Sequence, residues 1–197
     1  MPFPAGLLAP DALTVAGLTL RPITAADAEL DHAAVMETRE LLRPWEQTGW
    51  PEDTFTVAEN QADLEGLERR HAERRAFTYT VLDPGGTTCL GCVYLMPPDT
   101  RMYDGAHIVP AAAEDRWEDV DAAVYFWVRA SRQGAGTDRA LVEALRDWLR
   151  DEWRLERAVV VVPEDVAPQV AAVASTGSRL RFTITEQGKP GRYLAYG

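Results

Sequence analysis

The chain has 197 residues, 46% hydrophobic and 26% charged, which excludes a disordered, collagenous or coiled-coil protein and leaves ample apolar material for one core. Acids outnumber bases 31 to 20, for a net charge of −11, and no run of Lys or Arg offers the footprint a phosphate backbone needs, so no nucleic-acid partner is expected. No stretch approaches the roughly 18 apolar residues of a membrane span, and the start lacks the basic flank of a signal peptide, so the expectation is a cytoplasmic protein without membrane contact. The acidic balance suits solubility and would also steer a cationic substrate such as an amine.

Residues 1–12, rich in Pro, Gly and Ala, read as a loosely ordered extension, with 13–197 as a single domain. Leu18 to Thr24 alternates and meets Pro22, as a strand ending in a turn does. Thr24 and Asp27 form a T-x-x-D helix start, and the apolar positions Leu30, Ala34, Val35 and Leu41 carry a predicted helix from Ala25 to Leu42. Leu42 to Thr54, with two Pro, a Gly and two Trp, reads as a loop. Its Trp45 and Trp50 either wall a substrate cleft or pin the loop to the core. A charged helix is predicted from Val57 to Arg75 with Leu64 and Leu67 inward.

Phe77 to Asp83, the Pro84-Gly85-Gly86 turn and Cys89 to Pro97 read as a hairpin. Cys89 and Cys92 are spaced C-x-x-C, but residues three apart on a strand face opposite ways, so the sulfurs should diverge as buried structural thiols. His32, His71 and His107 lack ligand spacing, and no metal is expected. Pro98 to Val120 is polar and irregular, with no predicted element.

Ala122 to Val128 is continuously apolar, as in a strand covered on both faces. A helix with Ala140, Leu141, Ala144, Leu145, Trp148 and Leu149 at helical spacing follows, then the apolar strand Ala158 to Val162. Strand, helix and strand make a βαβ unit with parallel neighbours. A short helix within Val166 to Thr176 and the strands Leu180 to Glu186 and Gly191 to Gly197 complete an α+β fold: a mixed, mostly antiparallel central sheet with one parallel βαβ unit and flanking helices.

Gln133 to Asp138 lies where the buried strand gives way to a helix N-terminus, whose free N–H groups and dipole favour an anion, and glycines at 134 and 136 let a phosphate approach the main chain. Read from the residues alone, phosphate binding and a plain turn both remain open. The order of elements, together with Gln133, Gly134, Ala135, Gly136, Thr137 and Asp138 against the signature [QR]-x-x-G-x-[GA], resembles the GNAT superfamily of acetyl-CoA-dependent N-acetyltransferases. The segment LLRPWEQTGWPEDT between the first two helices is similar to the Trp/Pro-rich segment of the branch that acetylates ribosomal-protein N-termini.

That resemblance implies acetyl-CoA as cosubstrate, no metal, and acetyl transfer to a primary amine on a peptide or small molecule, with a homodimer as a candidate assembly. It places pantetheine against Phe126, Trp127 and Val128, and the pyrophosphate on Gln133, Gly134, Ala135, Gly136, Thr137, Asp138 and Arg139. The family's strand Glu corresponds to Ala123 here, so Asp121 is the candidate base, and the vacant Tyr position leaves Tyr125 or water as the acid. Asp138 stands where the signature has Gly or Ala. A carboxylate ~5 Å from a phosphate charge is repelled by roughly 3 kcal/mol at an effective dielectric of about 20, against ~0.3–1 kcal/mol gained at a helix N-terminus. The alternative function is therefore a GNAT-fold binding module that has lost catalysis.

Overall fold

The structure, a computed structural model, describes residues 2–15, 17–134 and 136–197. Its strands are β1 (Leu13–Val15), β2 (Leu18–Pro22), β3 (Phe77–Leu82), β4 (Cys89–Met96), β5 (His107–Pro110), β6 (Ala122–Val128), β7 (Ala158–Pro163), β8 (Leu180–Thr185) and β9 (Tyr193–Tyr196). The helices are α1 (Ala28–Glu46), α2 (Val57–Ala72), α3 (Thr137–Asp151) and α4 (Ala167–Ala174). The strands form one sheet in the order β1-β2-β3-β4-β6-β7-β9-β8-β5. Only β6 and β7 pair in parallel among the described residues, across the crossover through α3. The α+β architecture expected from the sequence is the one observed.

β6 explains why its sequence shows no alternation. Val124, Phe126 and Val128 enter the core layer under α3, with Leu141, Leu145 and Trp148, while Ala123, Tyr125 and Trp127 enter the layer under α1 and α2, with Val35, Trp45 and Leu64. Both faces are covered, so every residue of the strand is buried. Ahead of β1, the Phe3 ring stacks on Phe77 at 5.1 Å and the Tyr79 hydroxyl donates to Pro10 O at 2.8 Å.

Three local expectations change. α1 continues through Pro44 to Glu46 and stops at Gln47, which adopts a left-handed conformation (φ 56°) and donates its N–H to Arg43 O. Proline in the last turn removes a single helical hydrogen bond, and continuing the helix buries Trp45 one turn beyond Leu42 on the same face. β5 forms inside the segment expected to be irregular, pairing antiparallel with β8, whose partners lie some seventy residues away in sequence.

Cys89 and Cys92 are free and buried as expected, but both enter the α1-side layer. The β3–β4 register shifts beside them, between Val81 and Leu82, and such a bulge inserts a residue and reverses the facing of the residues beyond it. Gly91 is required there: a Cβ at that position would lie 2.1 Å from Trp127 O.

Candidate active site

The parallel pairing of β6 with β7 covers only Ala122 to Val124 against Ala158 to Val160. Beyond that point the strands part, and β6 carbonyls accept side-chain donors: Phe126 O from Gln169 Nε2 at 3.0 Å, and Val128 O from Gln133 Nε2 at 2.9 Å. Gln169 is on α4, one residue after Pro168, and the other end of its carboxamide, Oε1, is buried without a partner. The carboxamides border a small, partly open gap between α1, Trp127 and α4. Of the residues assigned to pantetheine, Phe126 and Val128 have main-chain carbonyls capped by these carboxamides, whereas the Trp127 indole donates to Tyr94 Oη at 3.2 Å.

The loop after β6 is fastened to α1. Glu37 accepts from Arg129 Nε at 2.7 Å and from Ser131 N at 3.0 Å, and Ala130 N donates to Thr38 Oγ1 at 3.0 Å. The Arg129 hydrogen bond and the Ser131 donors pull the Glu37 carboxyl down to about 2. Gly134 (φ 75°) and Gly136 (φ 80°) are left-handed, Gly136 is the N-cap of α3, and open space surrounds the Cα of each. These are the conformations for which the two glycines are needed. Thr137 and Asp138 open the first turn; Ala135 lies outside the described residues. Asp138 is only 8% exposed, and burial raises its carboxyl pKa, with its own main-chain amide acting weakly in the opposite direction. Arg139 is no counter-charge for it, since its guanidinium pairs with Glu143 at 2.8 Å.

On the α1/α2 side of the same strand lies a cavity of about 500 Å³. Trp45 and Trp50 both line it, as does Tyr125, and leucines 64 and 67 with methionines 96 and 102 make the rest of its wall largely apolar. The Tyr125 hydroxyl is 2.7 Å from that of Tyr103, and burial holds it well above its ordinary pKa. Asp121 does not line the cavity. It accepts from Arg157 N at 2.9 Å and from the Arg157 guanidinium at 3.3 Å, roughly 13 Å along the strand from Tyr125.

Two cavity carboxylates were not singled out from the sequence. Glu186, just past β8, is 7% exposed, and its Oε1 has no hydrogen-bond partner. Burial raises its pKa, while Lys189 and the neighbouring Tyr125 hydroxyl work the other way. Asp31 is 4% exposed, accepts from Asn60 Nδ2 at 3.0 Å, and is pushed up to about 6, chiefly by burial. A sequence signal for Asp31 exists: with Ala28, Val35 and Leu42 it completes the inward stripe of α1, where a carboxylate is out of place. Glu186 carries a similar mark, since alternation from Phe182 and Ile184 puts it on the buried face at the end of β8. Among the described residues, no group of His, Cys, Asp and Glu is arranged to hold a metal ion.

The family model for the acetyltransferase (GNAT) domain matches residues 17–178, the greater part of the chain. Comparison with curated proteins finds no match. Solved structures share the fold at low identity. The ribosomal-protein-S5-alanine acetyltransferase of Vibrio fischeri is 18% identical with a TM-score of 0.66, the match covering 94% of each chain. RimL, a ribosomal L7/L12 α-N-protein acetyltransferase in complex with coenzyme A, is 17% identical with a TM-score of 0.69, over 94% of this chain and 96% of that one. The microcin C7 self-immunity acetyltransferase MccE, in complex with acetyl-CoA and AMP, is 15% identical with a TM-score of 0.70, over 96% of each. The glycine turn ahead of α3, the parting of β6 from β7 and the domain match together place this chain in the GNAT acetyltransferase family.

Proposed function

We propose that the chain transfers acetyl directly from acetyl-CoA to a primary amine, on soluble acceptors in the cytoplasm. The observation that carries this reading is the double duty of β6: its Phe126 and Val128 carbonyls, left by β7, are held by Gln169 and Gln133, which border the gap beside α1, while its Tyr125 side chain forms a wall of the cavity. The RimL and MccE structures hold coenzyme A or acetyl-CoA, and RimL is named for a protein N-terminus, which supports acetyl-CoA as cosubstrate and a peptide terminus as one class of acceptor.

The residues present fit such a cosubstrate. The α3 N-terminus, with Gly134, Gly136 and the amides of Thr137, Asp138 and Arg139, would hold the phosphates. Asp138 is the group that opposes the phosphates, and burial, which disfavours its charged form, lessens that opposition without removing it. The Phe126 and Val128 carbonyls, with the Gln133 and Gln169 carboxamides, suit a ligand that carries amide groups, and the lone Gln169 Oε1 can accept from one of them. Acetyl-CoA supplies the activated acetyl thioester.

In the cavity, Glu186 is assigned as the base that takes the proton from the amine nitrogen, because a buried carboxylate with a raised pKa is matched to that task. Tyr125 Oη keeps its proton at neutral pH and is the donor available to the departing sulfur. Asp121 has its oxygens engaged by Arg157, so this assignment differs from the one expected from the sequence. The reading as a module without catalysis rested on Asp138 and on missing acid-base groups, and it finds no support in a cavity that holds Glu186 and Tyr125. Calorimetric titration with acetyl-CoA, followed by thiol-release measurements over an amine panel, tests the proposal. Binding plus release with at least one amine is expected, and binding without release for any amine would refute transfer.

A further inference from the structure

We infer that the acceptor is a primary ammonium joined to a compact apolar or aromatic body, with the ammonium on Glu186 and the body between the tryptophans. The inference rests on the acetyl-transfer reading for what happens to the amine, although binding can be measured without it.

Charge accounting points to a missing cation. Glu186 carries an oxygen that is buried and unpaired, a costly arrangement that a ligand donor would relieve. Asp31 has an amide partner in Asn60 and no cation. Among the described residues, neither carboxylate is in an ion pair. The other charged groups lie at the rim: Lys189 attracts Glu186 from a distance but binds Glu46, its Nζ 2.9 Å from Oε1 and also on the carbonyl, while Asp63 and Arg70 are exposed, the latter with its Nε on Gly66 O. A ligand that brings its own positive charge completes this interior, whereas an anionic ligand would add to the imbalance.

The walls decide what accompanies the charge. Trp45 packs at 5.9 Å from the Tyr94 ring, and Trp50 stands edge-on to Phe55 at 5.8 Å, so both indoles are fixed by neighbours before any ligand arrives. With Leu64 and Leu67 on the same cavity wall, they offer desolvation and ring contact and few hydrogen bonds. The volume of about 500 Å³ falls within the roughly 300–1,000 Å³ of small-ligand sites. Such an ammonium has two sources, a free amine or the first residue of a peptide with an apolar side chain.

The test is equilibrium binding without acetyl-CoA at pH 7.5, read by calorimetry and tryptophan fluorescence, with 2-phenylethylamine, the tripeptide amide Phe-Ala-Ala, 2-phenylethanol as neutral isostere, and putrescine as an amine without an apolar body. The phenylethylamine or the peptide should bind at least tenfold more tightly than both the alcohol and putrescine, and whichever does so identifies the source. Glu186→Gln should abolish the preference for amine over alcohol. Trp50→Ala, at a partly exposed site, should weaken amine and alcohol alike, and thermal melts report whether each variant is folded. Equal binding of the alcohol or of putrescine, or an unchanged preference in folded Glu186→Gln, overturns the inference. Acetyl-CoA titrated in parallel separates the two claims: if it binds while no apolar-amine preference exists, only the acceptor class is wrong, and if it fails to bind, the transferase reading fails.

Discussion

Gln169 Nε2 lies 3.0 Å from the carbonyl oxygen of Phe126, and Oε1 of the same carboxamide is buried with no partner. One side chain thus caps a strand edge that β7 has left and offers an acceptor in the same gap. A net contribution of about 0.5–1.5 kcal/mol for the one ligand hydrogen bond amounts to up to about tenfold in affinity, whereas the capped carbonyl, bonded in the free protein too, counts toward stability. Gln169→Leu, similar in volume, should therefore weaken acetyl-CoA binding up to about tenfold by calorimetry with only a small loss in thermal stability. An unchanged Kd would mean that the cosubstrate does not use this gap.

Asp138 gives a prediction of opposite sign. Burial raises its pKa in the fold, so the native state holds the proton more tightly than the unfolded chain does, and the cost of ionisation grows as pH rises above the ordinary carboxylate range. At neutral pH, removing the charge should help folding and phosphate binding together. Asp138→Asn is expected to melt higher than wild type at pH 7.5 and to bind acetyl-CoA several-fold more tightly, with the stability gap closing toward pH 3.5. Weaker binding by a folded Asp138→Asn would show instead that the carboxylate organises the α3 turn.

The contrast between Gln133–Asp138 and Gln169 shows what the chain reveals before it folds. The glycine turn is contiguous, and its chemistry follows from helix-end amides and positive φ, so it is readable in six letters. β6, α3 and β7 are readable for a related reason, since continuous burial and helical spacing are local patterns. Gln169, Asp31 and Glu186 become site residues only when α4, α1 and β8 converge on β6; periodicity marks Asp31 and Glu186 as inward-facing, but nothing adjacent in sequence marks the convergence. Trp45 shows the other kind of failure: Pro44 read as a stop, but burial of the indole outweighs one helical hydrogen bond. The cysteine pair failed because a one-residue bulge reverses facing.

Asp31 should mark the stability profile between about pH 4 and 6, opposite in sense to Glu37, whose lowered pKa acts at lower pH. The Asp31 carboxyl is pushed up to about 6 in the fold, chiefly by burial, so the penalty is absent well below pH 4, grows between about pH 4 and 6, and is complete above that. A displacement of this size corresponds to at most about 3 kcal/mol. Asp31→Asn can still accept from Asn60 through its carbonyl oxygen, so urea denaturation should show it more stable than wild type by one to three kcal/mol at pH 7.5, an approximate range set by the same linkage. The two proteins should converge near pH 4. A variant less stable at every pH would mean that the carboxylate's contacts, Cys89 among them, outweigh its desolvation.

Glu186 and Tyr125 can be separated by their pH profiles. With Glu186 as base, kcat/KM for a primary amine should rise with pH through the raised carboxyl pKa and fall again as the free amine deprotonates, since the carboxylate binds the ammonium and then takes its proton. Glu186→Gln should lower kcat by about 10²–10⁴-fold, the usual scale for one acid–base group, and remove the lower inflection. Tyr125→Phe leaves that inflection in place, because the group it removes is held well above the working pH range, and should lower kcat while acetyl-CoA affinity stays unchanged. Asp121→Asn breaks only the Arg157 contacts at the far end of β6 and should leave the profile of wild type intact. A lower inflection that survives Glu186→Gln and vanishes in Asp121→Asn would return the base to the start of the strand and contradict the reading of the cavity.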